Sequence, residues 1–169
     1  MHRLRENSGF TLMELIVVIA IISVLCALAI PGVINWIPKH KLGNGARDVL
    51  STLEKARMRA VRDRVSIGIE IVDNVNYRVW IDNGAGAGET DNAEWEAGEN
   101  IIMDRALPAG IVSDIGGGPS SFRFDSQGFP LDKNDRPVSG KLKLSNGRHD
   151  RYVHMSVAGN VKISKDENP

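Results

Sequence analysis

A chain of 169 residues has room for one membrane element and one modest domain. Lys+Arg and Asp+Glu both number 21, so net charge argues for no particular partner. The single cysteine, Cys26, excludes an internal disulfide framework and, inside an apolar run, reads as a small apolar filler.

The first element is read from Leu15 to Pro38, where 24 residues pass without a charged side chain. That exceeds the roughly 20 residues a helix needs to cross a bilayer. It is also longer than the roughly 7–15 apolar residues of a secretory signal. The leader before it, MHRLRENSG, sets His2, Arg3 and Arg5 against Glu6, and a basic leader stays cytoplasmic while the rest crosses. Glu14 does not fit a plain anchor, because a carboxylate near the membrane is costly and needs a partner. Cleavage after Gly9 would create one, an α-amino group on Phe10 one helical turn from Glu14. The positive end of a helix dipole would also suit the acid.

Gly9-Phe10-Thr11-Leu12-Met13-Glu14, followed by a long apolar helix, resembles the class III leader of type IV pilins and type II secretion pseudopilins. The resemblance implies that a prepilin peptidase cuts after Gly9 and methylates Phe10. It implies that Glu14, at the fifth mature position, recruits the subunit into a filament by neutralising a neighbour's amine. It also places a helix kink at Pro31-Gly32, where proline would weaken helix bonding in any family. The implied partners are the prepilin peptidase, an inner-membrane assembly platform and other pilins or pseudopilins.

Beyond Pro38 the pattern is amphipathic. Leu42, Ala46, Val49, Leu53, Ala56 and Ala60 trace one apolar stripe on a helix. Arg47, Asp48, Lys55, Arg59 and Arg62 lie largely off it, on a solvated face or at contacts with neighbouring subunits. From Val65 the period shifts toward two. Ser66–Ile71 and Tyr77–Ile81 form a hairpin around Asp73-Asn74. Further strands are expected at Gly110–Ser113, Ser121–Asp125 and Lys141–Ser145. Arg151–Val157 and Asn160–Ser164 form a second hairpin around Ala158-Gly159. One helix followed by antiparallel strands predicts an α+β fold. In pilin terms it is a long N-terminal helix, membrane-spanning in its first half, packed on an antiparallel β-sheet head. The expected divisions are a leader at 1–9, a transmembrane and filament-core helix at 10–38, an amphipathic continuation at 39–64 and a periplasmic β-rich head at 65–169.

Charge is uneven along the head. Asp82 to Glu99 holds six acids and no basic residue, while Gly140 to Lys165 holds six Lys/Arg and one acid. The acidic stretch, with Gly84, Gly86 and Gly88, reads as a mobile surface loop between strands. Asp82, Glu89 and Asp91 are its weak calcium candidates, at spacings that do not match an EF-hand.

The helix segment Asn44–Arg57 with Ala60-Val61, the run Phe122–Asp125 before Gly128-Phe129-Pro130, and the closing VAGNVKI together resemble the GspH/FimT group of minor pseudopilins and minor pilins. A GspH-like subunit of a type II secretion pseudopilus is the primary expectation. A FimT-like minor type IV pilin, acting in pilus assembly or DNA uptake, is the alternative. DNA-binding members of the group carry a GRxR motif. Here Gly147-Arg148-His149-Asp150-Arg151 delays the second arginine by one residue and inserts an acid. Arg148, Arg151, Lys141 and Lys143 are the candidate phosphate contacts, and a solvated turn is the competing role for residues 147–150. His149 and His154 lack zinc-site company, Ser120 and Ser121 lack a nucleophile motif, and Gly116-Gly117-Gly118-Pro119 reads as a turn. No catalytic constellation and no cofactor is expected.

Overall fold

The computed structural model describes residues 10–85, 90–116 and 118–167. One helix, α1 (Leu12–Asp63), precedes nine strands in the described residues. The chain divides into two compact units, one ending at Pro38 and one starting at Lys39. In the first unit the helical side chains from Leu12 to Ile30 are all exposed. The helical backbone continues through Pro31 and Gly32.

The second unit is the α+β head that the sequence pattern predicts. Its part of α1 buries the apolar stripe: Leu42, Ala46 and Ala60 are fully inaccessible, and Val49 and Ala56 nearly so. Two antiparallel sheets supply the rest of the core. The first has strand order β3-β2-β1-β5-β6, built from β1 (Ile67–Ile71), β2 (Asn76–Ile81), β3 (Ile101–Ala106), β5 (Ser121–Phe124) and β6 (Pro130–Leu131). The second has order β4-β7-β8-β9, from β4 (Val112–Ile115), β7 (Gly140–Ser145), β8 (Asp150–Met155) and β9 (Val161–Ser164). Leu42, Ala46 and Val49 cluster with Tyr77, Leu144 and Val153. About two to three turns beyond Val49, Ala56 and Ala60 cluster with Ile67, Ile69, Val79, Phe122 and Phe124. Each large aliphatic or aromatic side chain so buried contributes about 1.5–3 kcal/mol relative to exposure.

Two strands fall outside the sequence reading. β3 lies in the stretch read as a connection. It is an edge strand with four of its six residues exposed, so it carries no alternation to find. Its register with β2 shifts between Val79 and Trp80, a bulge of the kind that disrupts an edge. β6 is two residues long and begins with a proline, below any periodicity signal. The strand expected from Gly110 starts instead at Val112, because Gly110 adopts φ 85° and the Ile111 N–H closes a turn onto the Pro108 carbonyl.

Arg57 ties the two sheets together. Its Nε donates to the Gly128 carbonyl at 3.0 Å, in the turn between β5 and β6. Nη1 and Nη2 donate to the Gly159 and Ala158 carbonyls at 3.0 and 2.9 Å, in the turn between β8 and β9. Nη1 also reaches Asn160 Oδ1 at 3.3 Å. The turns meet closely: a Cβ on Gly159 would stand 2.6 Å from the Gly128 carbonyl oxygen, and Gly159 has φ 76°. Only glycine satisfies both conditions.

Candidate functional site

The chain's chemistry begins where α1 begins. Thr11 precedes the first helical residue, Leu12, and its Oγ1 accepts the Glu14 N–H at 3.2 Å. The Thr11 carbonyl accepts the Leu15 N–H, the first bond of the helical ladder. Thr11-Leu12-Met13-Glu14 is therefore a T-x-x-E capping sequence with Glu14 at the third helical position. Phe10 and Leu15 occupy the flanking positions where an apolar pair fixes the entry of the chain. The residues read as a processing motif also specify a helix start two residues after Phe10. Phe10 is 86 % exposed, and the Glu14 carboxylate sits in the first turn, at the positive end of the helix dipole. Gly9 lies outside the described residues.

From Leu12 to Ile30, 19 residues form the one described helix segment long and apolar enough to cross a membrane. At 1.5 Å per residue they span about 28 Å, close to the roughly 30 Å hydrocarbon core of a bilayer. Ser23 donates to the Ile19 carbonyl at 2.7 Å, so its hydroxyl is satisfied within the segment. Cys26 is exposed there.

The acidic stretch is packed, at least in its described part. Asp82 is 2 % exposed, and its two oxygens accept the N–H groups of Asp91 at 3.0 Å and Ala93 at 2.9 Å. Glu99, also buried, accepts from Asn83 and Gly84 through Oε1 and from Glu96 through Oε2. These carboxylates hold their own loop through main-chain N–H groups. Burial, with Glu99 and Asp91 nearby, pushes the Asp82 carboxyl above the usual carboxylate range. The segment lies over the outer face of the first sheet, where Ser121 Oγ donates to the Ala93 carbonyl and the Arg78 guanidinium stands 4.4 Å from the Trp95 ring centroid. Beneath it Trp80 is fully buried against Gly68, whose missing Cβ leaves the space: an added one would lie 2.2 Å from the indole. Arg123, 4 % exposed, pairs with Asp135 and lies 3.8 Å from Asp91. The expected mobile loop is thus, for residues 90–100, a flap with buried anchors. Burial of Asp82 and Glu99 was not legible from composition. Glu89 lies outside the described residues, and no group of three metal-ligating side chains occurs among them.

The basic strands do not form one patch. Register places Lys141 opposite His154 and Lys143 opposite Tyr152, on one face of the second sheet. Arg151 stands opposite buried Leu144, on the other face. Lys143 pairs with Asp150 at 3.1 Å and Lys141 with Glu167 at 2.8 Å. The Asp150 carboxyl lies below the usual range, chiefly through its hydrogen bond with Ser145 and then through Lys143. Arg148 is exposed in the hairpin turn, where Asn146 Oδ1 accepts the Arg148 and His149 N–H groups and Gly147 takes φ 79°. Residues 147–149 are a hairpin turn, and Asp150 opens β8.

A capped apolar helix, continued into a head where it packs on antiparallel sheets, is the pilin fold. The solved structures most informative here share it. The type IV minor pilin FimU of Pseudomonas aeruginosa aligns with TM-score 0.56 at 17 % identity, over 75 % of this chain and 90 % of that one. The minor pseudopilin EpsH from the Type 2 Secretion System of Vibrio cholerae aligns with TM-score 0.52 at 14 % identity, over 74 % and 97 %. The family model described as Type II transport protein GspH matches residues 45–160, and the prokaryotic N-terminal methylation motif matches residues 4–30. The chain belongs to the GspH family, within the minor pilins and pseudopilins of the type IV pilin class. The pilin-like protein PilA1 of Thermus thermophilus is 27 % identical over 161 residues, covering 92 % of this chain and 97 % of that protein. The family is a structural one whose members assemble with other pilins in a pilus-like fibre.

The three segments that resemble this group, Asn44–Arg57, Gly128-Phe129-Pro130 and VAGNVKI, meet at the Arg57 clasp. The sequence signal was present. What was missing was that an arginine adjoining the buried stripe has two glycine-bearing turns to bind.

Proposed function

We propose that the chain is a minor pseudopilin of a type II secretion system. Prepilin peptidase cleaves it after Gly9 and methylates Phe10. The apolar helix then holds it in the inner membrane, head in the periplasm, until it enters a pseudopilus through the assembly platform. The observation that carries this reading is the start of α1. A fully exposed apolar helix begins at Leu12, directly after Phe10 and its Thr11 cap, with a lone carboxylate, Glu14, in its first turn. In hydrocarbon such a carboxylate needs a cation, and a neighbour's methylated α-amine at the same depth supplies it. Weakened hydrogen bonding at Pro31-Gly32 lets the helix bend as subunits pack.

A second reading, a minor type IV pilin, is supported by the full-length likeness to PilA1 and the alignment with FimU. The DNA-uptake form of that reading receives less support from the geometry. Arg151 faces away from Lys141 and Lys143, and Lys143 already pairs with Asp150.

The test is co-expression with a prepilin peptidase, mass spectrometry of the processed N-terminus, and fibre fractionation of Glu14→Ala. N-methyl-phenylalanine at residue 10, with at least a tenfold loss of Glu14→Ala from fibres while membrane insertion is retained, is the expected result. An unprocessed chain, or normal incorporation of Glu14→Ala, would end this reading.

A further inference from the structure

The outer face of the second sheet carries a feature that assembly through α1 does not use. Lys141 on β7, His154 on β8 and Lys162 on β9 stand abreast, each the register partner of the next. Lys141 and Lys162 thus flank His154 from the two neighbouring strands. They line a polar groove of about 660 Å³, with Ser139 and Asn160 at its sides. Among the described residues the only acid lining it is Glu167, from the segment after β9. Glu167 is bonded to Lys141 and largely exposed, its carboxyl held below the usual range by that ammonium. His154 Nε2 is shielded from solvent and has no hydrogen-bond partner. The groove therefore sets two ammonium groups against one carboxylate among the described residues.

We propose that this groove is a docking site for an acidic peptide segment of a neighbouring subunit. The chain's own Glu167 occupies part of it in the free chain and is displaced on docking. Three observations favour a carboxylate-bearing peptide over a phosphate. The contact already made is with a carboxylate. The donors form a straight row across three strands, matched to an extended segment rather than to one compact anion. The arginines whose forked guanidinium suits phosphate best, Arg148 and Arg151, lie outside the groove. The proposal rests on the fibre reading, which supplies the neighbour. It is tested separately from it, because the assay below needs neither processing nor assembly.

The experiment is an anisotropy titration of a labelled deca-glutamate peptide against the full-length chain in detergent micelles, at low and raised salt. Saturable binding that weakens with salt is expected. Lys141→Ala/Lys162→Ala should weaken it about tenfold, and Glu167→Gln should tighten it about threefold by releasing Lys141. Lys133→Ala, outside the groove, should leave it unchanged. The gain in Glu167→Gln does not depend on a lysine variant folding correctly. Four outcomes would overturn the proposal: no saturable binding, equal weakening by Lys133→Ala, no tightening in Glu167→Gln, or displacement of the peptide by inorganic phosphate at concentrations where acetate has no effect.

Discussion

Polar groups in the two units find partners at different distances along the chain. Up to Pro38 they are neighbours: Glu14 donates its N–H to Thr11, three residues back, and Ser23 donates to Ile19, four residues back. The head adds remote ones. Arg57 reaches carbonyls 71 to 102 residues away, and Asp82 accepts N–H groups nine and eleven residues on. The difference fits the proposed membrane anchor and water-exposed head. A segment that enters hydrocarbon must satisfy its backbone and hydroxyls internally, because no water is there to do it. Its described side chains from Leu12 to Ile30 are all left exposed. The head has water outside and a small core inside, so it spends its charged groups on fastening distant turns and loops.

The strongest way to break this contrast is to remove the longest-range contact. Arg57→Ala deletes four hydrogen bonds from a guanidinium and leaves the turns at Gly128 and at Ala158-Gly159 without their common donor. Charge-assisted bonds contribute roughly 1.5–3 kcal/mol each, but these share one side chain and water can replace part of them. A net loss of about 3 kcal/mol is expected, lowering the head's thermal midpoint by roughly 10 °C. Arg57→Lys should recover only a minor part, since one ammonium cannot reach carbonyls in two turns at fixed fork geometry. Differential scanning calorimetry decides it. A midpoint within a degree or two of the parent would mean that the two core clusters alone join the sheets.

A smaller effect separates two kinds of carboxylate in the head. Asp73 accepts the Asn76 side-chain amide and the main-chain N–H groups of Val75 and Asn76, which hold its carboxyl below the usual range. Its contribution to stability is present above the ordinary carboxylate pKa and is lost as pH falls through the lowered value. Asp82 has the opposite sign. Burial raises its carboxyl, so the folded state holds that proton more tightly than the unfolded chain does. Its contribution is fully present below the ordinary value and is lost as pH rises through the raised one. Carbon-detected NMR titration of the side-chain carboxyls should place the Asp73 midpoint below the ordinary aspartate value and the Asp82 midpoint above it. Reversal of that order would show that the flap over Trp80 is not closed in solution.

How much of this was legible depends on the range of the contacts. The helix stripe, the two hairpins and the start of α1 are local patterns, and Leu42 to Ala60 and Ile67 to Ile81 read directly from spacing. The α+β class followed from their order. β3 could not be read, because an exposed edge strand has no buried face to impose a period. The acidic stretch misled for a related reason: composition counts carboxylates but does not show that Asp82 and Glu99 turn inward to bind main-chain N–H groups. The basic strands failed through register. A one-residue offset put Arg151 on the core side of β8 and left Lys141 and Lys143 on the other face. At the N-terminus nothing had to be brought from afar, so the motif and its local geometry coincide.

That coincidence gives the last and smallest test. If Thr11 acts as the cap of α1, Thr11→Ala should cost about 1 kcal/mol at the first turn and nothing in the head. The direct readout is hydrogen exchange at the Glu14 amide of the processed chain in micelles, whose donor bond to Thr11 Oγ1 the substitution removes. About fivefold faster exchange is expected there, with the head's thermal midpoint unchanged. Thr11→Ser, which keeps the hydroxyl, should exchange like the parent. Were Thr11→Ala silent at Glu14, helix nucleation at this end would have to come from the apolar residues and the membrane alone. The conjunction of cap and acid in the motif would then serve only recognition by other proteins. Faster exchange confined to the first turn would mean that one threonine sets the position and depth from which Glu14 meets its neighbour.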